Sequence, residues 1–187
     1  MISYNADLTL REGLSEYLRR YDLGDGGYNN RWFTLPFLWI FKIRLPNIPS
    51  RVQAVKFHDL HHVILEYDTG YNGEAEIGAW EIASGCRKYV PAWILNMAAF
   101  AYGVLFIPIR TYRAFVRGRR SECLYHGSAY EQVLTQLVGE MRSELHIAER
   151  NPRGGMGDLI LFVVWAILCF LPVAIIIVCG WLIIKAS

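Results

Sequence analysis

Residues 58–74 constrain the fold most, because they place three histidines just before a turn. The segment begins His-Asp-Leu-His-His, continues through an apolar stretch, and ends Asp-Thr-Gly-Tyr-Asn-Gly-Glu. Glycine, asparagine and aspartate at residues 68–73 predict a turn between two helices. The second helix therefore folds back and brings Glu74 toward the histidines.

Helical geometry places the polar side chains of this segment on one side of the first helix. Each residue advances about 100°, so with His58 at zero, His62 lies at about 40° and Asp59 at about 100°. Two imidazoles one turn apart can share a metal ion. His61, at about −60°, lies on the flank and is the least favoured histidine ligand. Together with Glu74, this donor set suits zinc, iron or manganese.

Two other interpretations of the cluster remain open from the residues alone. One is a buried polar network, in which the histidines only form hydrogen bonds with carboxylates. The other is the HxxHH box of membrane fatty-acid desaturases and hydroxylases, which His58, His61 and His62 match. Those enzymes need several histidine boxes to hold two irons, and this chain has only His126 and His146 besides.

Helical patterns cover most of the remaining domain and predict an all-α fold. Capping boxes, in which two side chains satisfy backbone donors at a helix start, are present at Thr9, Ser50 and Ser128. The predicted helices span residues 9–23, 50–67, 74–85, 92–108 and 128–148. The uncharged helix at 92–108 is about 24 Å long, short of the roughly 30 Å hydrocarbon core, so we expect it to be buried or interfacial. Aromatic residues at 31–43 indicate either a membrane interface or a buried helix.

The C-terminal part carries an uncharged run at residues 159–184. As a helix this run would extend about 39 Å, enough to cross a bilayer. Arginines precede the run and a single lysine follows it, which favours a cytoplasmic N-terminal side. The sequence therefore predicts a helical domain at 1–150, a linker at 151–158 and a C-terminal single-pass transmembrane helix at 159–184, with the domain on the cytoplasmic face.

Charge and cysteine content exclude some classes of function. The formal net charge is +2, which gives no polyelectrolyte character for nucleic-acid binding. The four cysteines have no CxxC spacing, so neither a disulfide framework nor a cysteine zinc site is expected.

The motif His58-Asp59-x-x-His62, followed after eleven residues by Glu74, resembles the hallmark of the ubiquinone (coenzyme Q) biosynthesis protein four family. Weaker similarity extends over about residues 8–150, including the segments Phe106–Arg110, Arg117–Arg120 and Leu137–Ile147. The C-terminal tail and the aromatic segment before the motif depart from the family pattern.

The resemblance implies an all-helical fold and a divalent metal, zinc by preference, held by His58, Asp59, His62 and Glu74. It implies an apolar cavity for a membrane lipid or a polyprenyl quinone precursor, and other quinone-biosynthesis proteins as partners. The implied role is either oxidative decarboxylation and hydroxylation of the quinone head group, as a lyase or oxidoreductase, or non-catalytic scaffolding. Zinc has no redox chemistry, so an oxidative step needs another electron carrier.

Two residues near the motif are candidates for supporting or proton-transfer roles. These are His61 and Glu81, and a solvated helix surface is the alternative interpretation for both. The sequence leaves homo-oligomer formation open.

Overall fold

The fold is a bundle of helices with one β-hairpin, seen in a computed structural model that describes residues 3–37, 41–127 and 129–186. The side chains of residues 35–37, 41–43 and 172–186 lie outside this description. The elements are α1 (Leu10–Arg20), β1 (Trp32–Phe37), β2 (Phe41–Pro46), α2 (Pro49–Leu65), α3 (Tyr71–Ser84), α4 (Val90–Phe106), α5 (Pro108–Gly118), a 3-10 turn (Leu124–His126), α6 (Tyr130–Val133), α7 (Val138–Glu144) and α8 (Met156–Ala186).

Helix α2 lies at the centre of the core. Its last two turns carry Leu60, Val63 and Ile64, which are almost completely buried. Helix α1 packs against one side of α2, and α3 and α4 contact it elsewhere. These last two turns are buried around the whole circumference, which explains why they show no apolar stripe in the sequence.

Helices α3, α4 and α5 pack closely because small residues stand where their backbones approach. A Cβ atom at Gly118 would lie 2.3 Å from the carbonyl oxygen of Trp80, and one at Gly103 would lie 2.4 Å from Thr111 Oγ1. Arg110 adds an ion pair from α5 to Glu76 on α3, with an Nη2–Oε2 distance of 2.5 Å. This layer fixes α3, and with it Glu74 and Glu81.

Two arginines hold the C-terminal end of α2. Arg142 donates to the carbonyl oxygens of Val63 and Ile64, and Arg117 donates to that of Leu65. Arg142 also pairs with Glu66, whose left-handed backbone (φ 63°) ends the helix. These donors satisfy carbonyls that have no partner within a helix.

The prediction of an all-α fold is wrong in one segment. Residues 31–43 were expected at a membrane interface or in a buried helix, but β1 and β2 pair antiparallel, with Trp32 opposite Pro46 and Phe33 opposite Leu45. Aromatic residues also favour strands, and a proline is tolerated in the edge strand of a two-stranded sheet. Residues 38–40, between the strands, lie outside the described residues.

Two predictions about capping and continuity also need correction. Helix α2 begins with Ile48 as N-cap and Pro49 in its first turn, without the side-chain cap predicted at Ser50. The predicted helix at 128–148 is broken into α6 and α7, while Ser128 lies outside the described residues. The capping box of Thr9 and Glu12 is confirmed, and the helix predicted at 92–108 is present as α4, which ends at Phe106.

The predicted single-pass transmembrane helix at residues 159–184 is contradicted. Among the residues that the structure describes, no helix has the length and apolar character needed to cross a bilayer. One side of α8 packs on the domain through Phe162 and Trp165. The prediction of a membrane anchor with a cytoplasmic domain is overturned by the same finding.

Candidate metal centre

Three metal-ligating groups from two helices converge at the turn between α2 and α3. His58 and His62 lie one turn apart on α2, and their Nε2 atoms are 3.2 Å apart. Glu74, in the first turn of α3, places Oε2 3.3 Å from His58 Nε2 and Oε1 3.3 Å from His62 Nε2. Their donor atoms all lie within 4.8 Å of one another, so this group could hold a metal ion.

The other nitrogen of each imidazole is bonded to an acceptor. His62 Nδ1 donates to the carbonyl oxygen of Tyr67, at 3.1 Å. His58 Nδ1 donates to Glu81 Oε1, also at 3.1 Å. Because both acceptors lack a proton, Nδ1 carries the hydrogen in each ring and Nε2 is the atom left for an ion. Such bonds fix the tautomer and orientation of metal-ligating histidines.

Electrostatics favours a cation at the cluster. Two bare Nε2 lone pairs and a carboxylate facing one another would repel, so either a proton or a metal ion between them is stabilising. Burial opposes the charge on His58, but Glu81 and Glu74 outweigh it and hold the pKa of His58 well above its ordinary value. Burial likewise opposes ionisation of Glu74, yet His62 and His58 lower its pKa to about 2. The donor set of two imidazoles and one carboxylate, with an open side, fits a divalent ion such as zinc.

Glu81 connects the candidate metal ligands to the core. Its carboxylate is completely buried and accepts four hydrogen bonds. Oε1 accepts from His58 and His61, and Oε2 accepts from Asn96 at 2.5 Å and Tyr125 at 3.0 Å. Burial alone would raise the pKa of Glu81, but the histidines lower it well below the ordinary range. The alternative of a solvated helix surface is therefore wrong for this residue.

His61 belongs to the same network and has both ring nitrogens engaged. Nδ1 lies 2.7 Å from Glu81 Oε1, and Nε2 accepts from the backbone N–H of Leu124 at 3.1 Å. Burial lowers its pKa, which keeps the ring neutral. His61 is thus unavailable to an ion, which disfavours the HxxHH interpretation.

Asp59 is the one predicted ligand that the structure does not bring into this group. Its side chain, about 60° around α2 from His62, accepts a hydrogen bond of 2.5 Å from the hydroxyl of Tyr28. Burial raises the pKa of Asp59 despite the nearby His58. Tyr28 precedes Asp59 by 31 residues and lies in a glycine-rich loop, so no local sequence signal indicated this contact.

Local folding of the turn sets the position of Glu74. Asp68 accepts from the backbone N–H of Gly70, and Gly70 in turn caps α3 by accepting from the N–H of Glu74. A Cβ atom at Gly73 would lie 2.1 Å from the carbonyl oxygen of Asp68. Only glycine permits this approach, so the glycine before Glu74 has a steric reason.

Two cavities meet at the cluster, and both are lined by His58 and Glu74. The first, which we call the α2–α4 cavity, has a volume of about 340 Å³ and mostly apolar walls, including Val55, Leu95 and Ala99. The second, the loop cavity, has about 430 Å³ and includes Asp59, Gly26 and Thr69. A group bound at the three donors would therefore face an apolar chamber on one side and a more polar one on the other.

Comparison with known proteins gives no relative: no family model, no curated protein and no solved structure matches this chain. The resemblance to the ubiquinone biosynthesis family therefore stays a prediction. The geometry itself defines the class of site, a two-histidine, one-carboxylate centre between two helices.

Proposed function

We propose that this protein binds one divalent metal ion through His58, His62 and Glu74 and holds a prenylated quinone precursor in the α2–α4 cavity. Its role would lie in isoprenoid-quinone biosynthesis. The convergence of two Nε2 atoms on one carboxylate, with both Nδ1 atoms bonded elsewhere, is the observation that carries the proposal.

The residues around the centre support the binding of an oxygen-containing head group. A divalent ion supplies Lewis acidity toward a ligand oxygen. Glu81 and the carbonyl of Tyr67 hold the imidazoles in place, so the Nε2 atoms need no rearrangement. The stacking of Tyr17 on His62, at 5.2 Å between ring centroids, closes the other face of that ring.

The α2–α4 cavity supports an apolar tail on the same ligand. Its wall from α4 includes Ala92, Leu95 and Ala99, small or aliphatic side chains that leave room for a chain. Ligand cavities of this kind combine apolar walls with a few polar groups that orient the ligand. Here the polar groups are the metal ligands themselves.

Metal analysis and lipid mass spectrometry on one sample of the purified full chain test the proposal. We expect about one divalent ion per chain and a co-purifying prenylated head group. His58→Ala and His62→Ala should lose the ion. The exposed His146, whose positive φ an asparagine tolerates, provides a control as His146→Asn. Absence of both metal and prenyl lipid from the wild type would refute the proposal.

A second pair of variants tests the cavity separately from the metal. Ala98 is an exposed residue on the cavity wall, and Ile94 is an exposed residue of the same helix outside it. Ala98→Trp should lose the lipid and retain the ion, whereas Ile94→Trp should retain both. If Ala98→Trp bound as much lipid as the wild type, the tail would not occupy this cavity.

A further inference from the structure

The arginine at the start of α2 faces the same cavity as the metal ligands. Arg51 precedes His58 by seven residues, or two turns, which places both side chains within about 20° on one helix face and about 10.5 Å apart along the axis. Both residues line the α2–α4 cavity.

The guanidinium of Arg51 is held in place but only partly hydrogen-bonded. Nη1 donates to Asn47 Oδ1 at 2.8 Å, and the central carbon lies 3.9 Å from the centroid of the Phe33 ring. Nε is buried and has no hydrogen-bond partner. Within the described part of the chain, no carboxylate forms an ion pair with Arg51. A guanidinium that is held in a fixed orientation and has an unused N–H donor is suited to binding an oxyanion.

The electrostatic environment adds to this preference. Arg51 stands in the first turn of α2, where the helix dipole is positive and where no acidic side chain is present. Burial lowers the pKa of Arg51, and the more distant Asp59 compensates only in part. The half-buried cation therefore has no ion-pair partner among the described residues, in a chamber whose walls are mostly apolar.

We infer that Arg51 is a specificity-determining residue that binds an oxyanion, carboxylate or phosphate, on the head of an amphipathic ligand in the α2–α4 cavity. The inference rests on the proposed function for the presence of a ligand there, and it adds the charge of that ligand. The head group lies along α2 between the metal ligands and Arg51, and the apolar tail lies against α4. A neutral lipid of equal length would lack the interaction with Arg51.

Three probes with the same tail and different heads test the inference by titration calorimetry: dodecanoate, dodecyl phosphate and dodecanol. Arg51→Gln should weaken binding of the preferred anion about ten- to a hundredfold, because a charge-assisted hydrogen bond is lost. The same variant should bind dodecanol as the wild type does. Arg51→Lys keeps the positive charge but loses the planar guanidinium, so its affinity for the anion should lie between those of the wild type and Arg51→Gln. The anion that the wild type binds more tightly identifies the head group as carboxylate or phosphate.

Arg44 provides the matched control. It also stacks on an aromatic residue of the hairpin, 5.6 Å from the centroid of Trp32, but is exposed and does not line the cavity. Arg44→Gln should leave all three affinities unchanged, and thermal unfolding should show that Arg51→Gln remains folded. The inference is overturned if Arg51→Gln lowers the affinity for dodecanol as much as that for the anions, or if it leaves the affinity for both anions unchanged. It is also overturned if neither anion binds the wild type.

Metal content separates this inference from the proposed function. If the wild type bound no metal yet held anions through Arg51, the metal-binding part of the proposed function would fail and the inference would stand. If metal and prenyl lipid were present but Arg51→Gln left the affinity for both anions unchanged, the inference alone would fail.

Discussion

Glu81 is the residue on which the orientation of the metal ligands depends. Its carboxylate accepts from four donors, and a glutamine there would turn its amide N–H groups toward at least one of them. We predict that Glu81→Gln lowers zinc affinity about ten- to a hundredfold, as is typical when a partner of a metal-ligating histidine is lost. Competition with a chromophoric chelator measures this, with the exposed Glu149→Gln as control. Equal affinity in both variants would show that Glu81 has only a structural role.

The raised pKa of His58 makes metal binding depend on pH. Without metal, His58 is held protonated by Glu81 and Glu74, with its extra proton where the ion would bind. Ion binding must release this proton, so affinity should rise with pH below the raised pKa of His58 and level off above it.

We predict that zinc binding near neutral pH releases about one proton from His58, measured by calorimetry in buffers of different ionisation enthalpy. In Glu81→Gln, where the main charge that holds this proton is absent, less than one proton should be released. Binding without proton release in the wild type would contradict the assignment of the protonated state.

The sequence predicted most of the site because its information is local. His58 and His62 are one helical turn apart, and the turn composition at residues 68–73 located Glu74. Asp59 was placed with them on the basis of its helical angle, but a tyrosine distant in the chain binds it instead. No sequence pattern indicated a role for Arg51 or Tyr125. Only tertiary packing brings Arg51 to the cavity and Tyr125 to Glu81.

At the level of elements, the start of α3 determines where Glu74 lies. A side chain at Gly73 would collide with the carbonyl of Asp68, so α3 must shift if alanine is introduced. We predict that Gly73→Ala lowers the free energy of unfolding by about 2 kcal/mol or more and abolishes metal binding. Gly157, in α8, is the matched control, because a Cβ atom there meets nothing within 4 Å. Gly157→Ala should leave metal binding intact and be neutral or slightly stabilising in urea denaturation.

The C-terminal end of α2 depends on Arg142, which donates to two carbonyl oxygens of this helix and to Glu66. Replacement by methionine would leave these partly buried acceptors without donors. We predict that Arg142→Met lowers the free energy of unfolding by about 2–4 kcal/mol.

Urea denaturation measures this loss, and Arg11→Met is the control. Arg11 forms an exposed ion pair with Glu131. Removing such a pair changes the free energy of unfolding by no more than about 0.5 kcal/mol. Similar losses in the two variants would show that the carbonyl contacts of Arg142 contribute little.

The broken helix after residue 128 shows why element boundaries were harder to predict than the site. Its apolar stripe predicts one continuous helix, yet the carbonyls of Leu134 and Gln136 accept hydrogen bonds from the N–H groups of Arg11 and Leu10 at the start of α1. Thr9 and Leu137 form a β-bridge at the same place. The unsatisfied donors of α1 thus take carbonyls that a continuous helix would have used, and no pattern within residues 128–148 contains that information.

For the molecule as a whole, the main errors of the sequence analysis came from apolar segments. Periodicity does not distinguish an aromatic hairpin from a helix over a short run, which explains the error at residues 31–43. Hydropathy alone predicted a membrane crossing at 159–184, whereas the described part of α8 lies against α4 and α5. Apolar composition indicates burial but does not identify what covers the surface.

Phe162 is a buried contact between α8 and the rest of the domain, and it provides a whole-molecule test. Its ring lies 5.2 Å from that of Phe100 on α4 and 5.6 Å from that of Phe115 on α5, and it is buried. We predict that Phe162→Ala lowers the free energy of unfolding by about 3 kcal/mol, because it leaves a cavity between three helices. The adjacent Leu161 is exposed, so Leu161→Ala should have a much smaller effect in the same urea titration. Zinc affinity should not change in either variant, since neither residue contacts the metal ligands. If Phe162→Ala unfolded at the same urea concentration as Leu161→Ala, the first turns of α8 would contribute nothing to the stability of the domain.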